Sequence, residues 1–205
     1  MSVTRSVEFF DTQFRRQVRD AEFALNPFET VALPYARGRV LDYGCGLGNF
    51  AIAAARRGSE VVALDGSPAA IEHLRRTARD ARLAIDATCA DLRAHALTGA
   101  FDTAVSIGLL SYFDCPTAFG VLDALKSCTR PGGVLALNVL IDGTTWTEGF
   151  GDGTRCLFAA DALRERVGGW EILHDERSVV DATGGTVKSF ATLVARKPAT
   201  ADGPR

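Results

Sequence analysis

With 205 residues, 47% of them hydrophobic, the chain has enough apolar surface for one large domain that needs no disulfide or metal staple. A net charge of -2 with both signs interspersed leaves no electrostatic footprint for nucleic acid or an anionic bilayer, and the five cysteines, an odd number without a CxxC pair or a histidine at ligand spacing, point to a reducing compartment and no metal site. No apolar run reaches the ~18 residues of a membrane span, and the first residues lack a leader's apolar stretch, so a cytoplasmic protein without a membrane partner is expected.

In chain order, Phe10, Phe14, Val18, Ala21 and Leu25 fall on one face of an N-terminal helix. It has no strand to cross to, so it is expected over the open edge or mouth of a sheet, as a helical lid segment spanning 1–38 with Asn26-Pro27-Phe28. An ordinary core-facing helix has the same periodicity, and both readings stay open. From Arg39 onward β-rich runs alternate with helical patterns, which builds parallel strands with helices on both faces. The runs are Arg39–Tyr43, 60–64, 83–89, 101–107 and, after the turn Arg130-Pro-Gly-Gly, 134–140. Helices are expected over 50–57, from Ser67 as N-cap with Pro68 following it, and over 118–128. A short helix over 161–167 precedes two more β runs, 170–180 and 186–195, joined by Asp181-Ala-Thr-Gly-Gly, a link too short for anything but an antiparallel pair. The expected fold is α/β: a doubly wound, Rossmann-like, seven-stranded, mostly parallel sheet over 39–197 closed by an antiparallel C-terminal hairpin. Residues 198–205, rich in Ala, Gly and Pro, read as a disordered tail.

The densest signal is Val40-Leu-Asp-Tyr-Gly-Cys-Gly-Leu-Gly-Asn49, where a strand runs into glycines and then a helix. Gly44, Gly46 and Gly48 remove side chains where backbone turns and a ligand lies against it. Asp65 ends the next strand, where a carboxylate can take both hydroxyls of a ribose. Dinucleotide loops space their third glycine one residue later. Asp42, ahead of the first glycine, would repel a diphosphate but suits a ligand carrying an ammonium or sulfonium. Asp91, after the third strand, is placed either to accept from an adenine amino group or to serve as a helix cap.

Taken together these residues resemble the class I S-adenosylmethionine-dependent methyltransferases over roughly 39–140: the acidic-x-Gly-x-Gly-x-Gly loop, the acid after strand two, the Asp after strand three and the Pro-Gly-Gly before strand five occur in order. The resemblance implies S-adenosylmethionine as cofactor and S-adenosylhomocysteine as product. It places the methionine and sulfonium at Asp42, Gly44, Gly46 and Asn49, the ribose at Asp65, Gly66 and Ser67, and the adenine at Asp91 and Leu92; Cys45 within the loop, Phe10 and Phe14 of the lid helix, and Ile107 and Leu109 at the end of strand four are expected to bind the cofactor beside them. Toward the C-terminus, Cys156-Leu-Phe, Gly169-Trp-Glu and Ser189-Phe-Ala-Thr-Leu-Val-Ala-Arg-Lys are similar to the tellurite-resistance (TehB-like) methyltransferase group, which implies a chalcogen acceptor. That group carries a His and arginines before its final strand, where this chain reads Arg177-Ser-Val-Val-Asp-Ala-Thr-Gly-Gly-Thr.

Methyl transfer from a sulfonium needs alignment and dryness more than a covalent residue, and positioning supplies roughly 7–11 kcal/mol of barrier lowering. Ligands sit at the carboxyl ends of parallel strands. The turn 107–113, Asn138 and the loop 142–146 are therefore expected to line an acceptor pocket, with Tyr112 and Asp142 as its catalytic-site polar groups. No Asn/Asp-Pro-Pro-aromatic element follows strand four, and Cys115-Pro116 reverses the order used for cytosine carbon methylation, so no nucleic-acid partner is expected. His73, mid-helix among arginines, reads as solvated, and no general base is evident. A small-molecule acceptor that is already nucleophilic, such as a thiol or reduced chalcogen, follows. An NAD(P)-dependent oxidoreductase and a non-catalytic S-adenosylmethionine-binding regulator remain as alternatives.

Overall fold

The computed structural model describes residues 5–150 and 154–199. The tail expected over 198–205 thus falls for the most part outside the described residues. Seven strands form one sheet in the order β3-β2-β1-β4-β5-β7-β6, comprising β1 (Arg39–Tyr43), β2 (Glu60–Asp65), β3 (Ile85–Cys89), β4 (Phe101–Ile107), β5 (Thr129–Leu140), β6 (Glu171–Asp181) and β7 (Val187–Arg196). The first five run parallel, and β7 pairs antiparallel with both β5 and β6. The sheet is thus the doubly wound one the alternation predicts, with the antiparallel hairpin closing it.

The central strands are apolar on both faces because both are covered. On one side Leu41, Tyr43, Leu135 and Leu137 pack with Leu122 and Leu125 of α5 (Cys115–Cys128). On the other, Val40, Val61 and Ala63 meet Phe50 of α3 (Asn49–Arg56) and Ile71 and Leu74 of α4 (Pro68–Asp80). Each large side chain so buried contributes about 1.5–3 kcal/mol. Helix starts follow local capping chemistry. Ser67 Oγ accepts from the Ala70 N–H, Asp114 accepts from the Thr117 N–H, and α2 (Pro27–Ala32) opens with a reciprocal Asn26–Glu29 capping box. A short α6 (Ala162–Arg166) precedes β6.

Three features depart from the sequence reading. β5 begins at Thr129, not 134, because Pro131-Gly132-Gly133 is absorbed as an irregularity in its pairing with β4 rather than as a separate turn. His73 is buried, not solvated: it is 9% exposed, its ring stacks on Phe23 at 4.8 Å, and its Nδ1 has no partner. The odd cysteine count gives no pairing, yet Cys115 and Cys156 form a disulfide; Cys45, Cys89 and Cys128 are free.

The chain leaves β1 toward β2 and β3 and then returns to β4 on the other side of β1. This reversal opens a crevice at the carboxyl ends of β1 and β4, the place where open α/β sheets bind ligands. α1 (Arg5–Asp20) lies across that mouth, with Phe10 packed on Tyr112 at 4.8 Å. No described helix is long and apolar enough to cross a membrane.

Candidate functional site

The glycine loop is built by close approach. Gly44, Gly46 and Gly48 all have positive φ, 86°, 51° and 78°. A Cβ on Gly44 would lie 2.8 Å from two Leu109 side-chain atoms, and one on Gly48 2.5 Å from Leu74. Asp65 then fixes the loop: its carboxylate accepts from the Gly46 N–H at 2.8 Å and from the Ser67 N–H at 2.8 Å. The Gly66 N–H also bonds this carboxylate, so three N–H groups are spread over its two oxygens and part of its acceptor capacity remains. Burial raises the Asp65 pKa, and these N–H groups work against the rise.

Next to it Asp42 is 4% exposed, and its Oδ2 has no hydrogen-bond partner. Its pKa is pushed well up by burial first, then by the negative charges of Glu29 and Asp65, against one favourable N–H from Ala51. A buried, under-partnered carboxylate of this kind needs a cation, and none of the described residues is seen to pair with it. Glu29 carries no functional signal in the sequence. Its side chain accepts from the Asn26 N–H at 2.7 Å, so Asn26-x-x-Glu29 reads as a helix cap, and only the packing of α2 over the loop turns that cap toward Asp42. Burial raises the Glu29 pKa as well.

A cavity of about 830 Å³ lies over this loop. The structure brings Asp42, Gly44, Cys45, Gly46 and Asn49 to its wall, with Asp65, Gly66 and Ser67 beside them. Asp91 and Leu92 line one end, while Ile107, Leu109, Tyr112 and Asn138 line another. Phe10 and Phe14 of α1 face in from above, and a Cβ on Gly46 would sit 3.0 Å from the Phe14 ring. One expected site residue is placed elsewhere. Asp142 is exposed and does not line the cavity; the loop after β5 instead sends Trp146 into a small cluster with Phe150 and Leu140. Asp91 lines the cavity, but its carboxylate is held by Arg93 through bonds of 2.6 and 2.8 Å, and this pairing lowers its pKa.

Long-range ties fix the N-terminal helix to the site. Asp11 Oδ1 accepts from Ser67 Oγ at 2.6 Å and from the Ala69 N–H at 3.0 Å, so a residue of α1 completes the cap of α4. Asn49 Nδ2 donates to the Ala24 carbonyl at 3.1 Å. Tyr112 is largely enclosed by Phe10 and Phe150, and burial raises the pKa of its hydroxyl.

The strand order, the crevice beside β1 and the glycine loop with its acidic neighbours define the class I, S-adenosylmethionine-dependent type of methyltransferase fold. Residues 40–133 match the family described as "Methyltransferase domain". Among solved structures it resembles TehB from Haemophilus influenzae, with a TM-score of 0.76 and 21% identity, covering 88% of this chain and 65% of that one. Among curated proteins it is 34% identical over 124 residues to a ubiquinone biosynthesis O-methyltransferase of Xanthomonas euvesicatoria pv. vesicatoria, covering 57% of this chain and 51% of the relative. It is also 28% identical over 172 residues to Hemagglutinin 1 of Eikenella corrodens, covering 78% of this chain and 55% of the relative. The chain therefore spans about half the length of the curated relatives it matches.

Proposed function

We propose that this protein binds S-adenosylmethionine on the glycine loop and transfers its methyl group to a small-molecule acceptor. The observation that carries the reading is the buried Asp42 carboxylate, with an unpartnered oxygen, on the wall of a cavity it shares with Glu29 and Asp65. A diphosphate placed there would meet three carboxylates, whereas an ammonium or sulfonium would offset them. That charge balance favours a methyl donor over a dinucleotide. Extension of the same cavity past the loop to Tyr112 and Asn138 leaves room for an acceptor, which favours an enzyme over a binding regulator.

When bound, S-adenosylmethionine supplies an activated methyl on sulfur. The chain's own part is to hold and to dry. Asp42 and Glu29 face the cationic methionyl end, Asp65 turns its remaining acceptor capacity toward the ribose, and Phe10, Phe14 and Tyr112 exclude water. No His or Lys lines the cavity among the described residues, so the acceptor's proton has only carboxylates or solvent to go to; a thiol or reduced chalcogen, which gives up its proton readily, is the reading that fits. Incubation with S-adenosylmethionine and a panel of thiols, followed by mass detection of S-adenosylhomocysteine, tests this. Product that depends on a thiol supports it, and donor bound without turnover on any acceptor contradicts it.

In this reading α1 is a lid. The Asp11 carboxyl loses solvation, but Ser67, the Ala69 N–H and Arg15 hold its pKa below the ordinary range. A depressed folded value means the contact stabilises the closed helix above the unfolded pKa and is lost as pH falls through the folded one. Asp11→Ala is expected to speed amide exchange across 5–20 and to weaken donor affinity by about 5- to 30-fold, from the ~1–2 kcal/mol of a lost cap. Exchange that is unchanged in this variant would mean the helix is held by packing alone.

A further inference from the structure

On the face of the sheet that carries Asp42, a second buried polar group is left without a partner. Asn138, near the end of β5, is 1% exposed, its Nδ2 donates to Thr192 Oγ1 at 3.0 Å, and its Oδ1 has no hydrogen bond. Asn138 lines the same cavity. The register places Asp42 opposite Val105, and Ile107, two residues further along β4, opposite Asn138. Asp42 and Asn138 are therefore two strands apart, on the order of 10 Å sideways given ~4.8 Å between strands. That spacing separates the end that holds the donor's cation from the end where an acceptor would lie. Phe28 and Phe190, whose rings are 4.7 Å apart, close the Asn138 end as apolar walls.

The charges on the wall are one-sided. Glu29, Asp42, Asp65 and Asp114 all line the cavity, and the one cation among its described residues, Arg93, is held by Asp91. A group left unpartnered in an apolar wall is costly unless a ligand satisfies it. From these positions we infer that the acceptor is an uncharged molecule with an apolar body whose nucleophilic X–H donates to Asn138 Oδ1, and that oxyanions are refused.

This rests on the methyl-donor reading and narrows it: a thiol or hydrogen chalcogenide enters protonated, and the oxidised anion does not. The acceptor's lone pair forms the new bond to the methyl carbon while the carbon–sulfur bond breaks, leaving its electron pair on sulfur. The X–H proton passes to a carboxylate on the cavity wall, and from there to solvent when the products leave. Asn138 holds that X–H in line and takes no proton.

The test uses the full chain with benzyl mercaptan as the neutral probe and selenite and tellurite as oxyanion probes, in the wild type, Asn138→Ala and Asn138→Asp. S-adenosylhomocysteine binding by calorimetry reports the donor site independently. The expected result is methylation of benzyl mercaptan and of neither oxyanion. Asn138→Ala should raise KM for the thiol by about 10-fold or more with product affinity unchanged, and Asn138→Asp, which keeps an acceptor oxygen, should recover most of it. Turnover of an oxyanion, no turnover of the thiol, an unmoved KM in Asn138→Ala, or no recovery in Asn138→Asp would each overturn the inference while leaving the donor reading intact. Absence of S-adenosylhomocysteine binding by the wild type would overturn both.

Discussion

Asp42→Asn is expected to melt above the wild type when ligand-free and, at the same time, to bind S-adenosylmethionine at least about 30-fold more weakly, the equivalent of ~2 kcal/mol for one lost partner of a buried charge pair. The two effects share a cause. In the ligand-free chain the Asp42 carboxylate is buried beside Glu29 and Asp65 with an oxygen unpartnered, and an amide of the same shape removes the charge at a gain of about 1–3 kcal/mol. The folded pKa of Asp42 is raised, so the folded state holds its proton more tightly than the unfolded one. Its contribution to stability is complete below the ordinary carboxylate range and is lost as pH rises through the folded value. Glu29 and Asp65 titrate in the same sense. Thermal melts should therefore show ligand-free wild type losing stability with rising pH more steeply than Asp42→Asn. The stabilisation added by the donor should grow with pH in the wild type and much less in the variant. Equal slopes would mean Asp42 is not the group that meets the cation.

The second large effect is expected from Gly44→Ala. At φ 86° an L-residue is strained by roughly 1–2 kcal/mol, and its Cβ would lie 2.8 Å from Leu109 Cβ and Cδ2. Leu109 lines the cavity and belongs to the turn after β4, so relief comes only by moving that turn into the space the ligand needs. Loss of donor binding beyond about 30-fold is expected, with a fold that melts several degrees lower but stays cooperative. Gly58→Ala is a control for strain alone, because Gly58 has φ 92° with nothing within 4 Å of its Cβ position and does not line the cavity. Comparable losses in both variants would show that backbone strain, not the closeness of Leu109, governs the site.

Much of the framework could be read from the chain because it rests on local periodicity. Strand runs with apolar residues on both faces, the Ser67-Pro68 helix start and the spacing of Gly44, Gly46 and Gly48 are each fixed within a few neighbours, and the sheet assembles as those signals predict. What stayed hidden is set by packing between distant segments. Asp11 caps a helix that starts near Ser67, a tie no window of residues contains. Glu29 satisfies the local pattern of a capping box so well that its second face, toward Asp42, leaves no trace in sequence. His73 looks solvated beside its arginines until Phe23, from the α1–α2 connection, stacks on it. Asp142 follows a strand end, where ligands usually sit, but the chain after β5 turns away and buries Trp146 instead. Asp91 reached the cavity as expected, and its carboxylate went to Arg93, two residues on.

Isothermal titration of the folded chain with S-adenosylmethionine, S-adenosylhomocysteine and NADH, each against wild type and Asp42→Asn, tests the central claim most directly. Heat from the two sulfur ligands and none from the dinucleotide, with the sulfonium form losing more affinity than its uncharged product on Asp42→Asn, is the predicted result. Saturable heat from NADH and none from either sulfur ligand would contradict it.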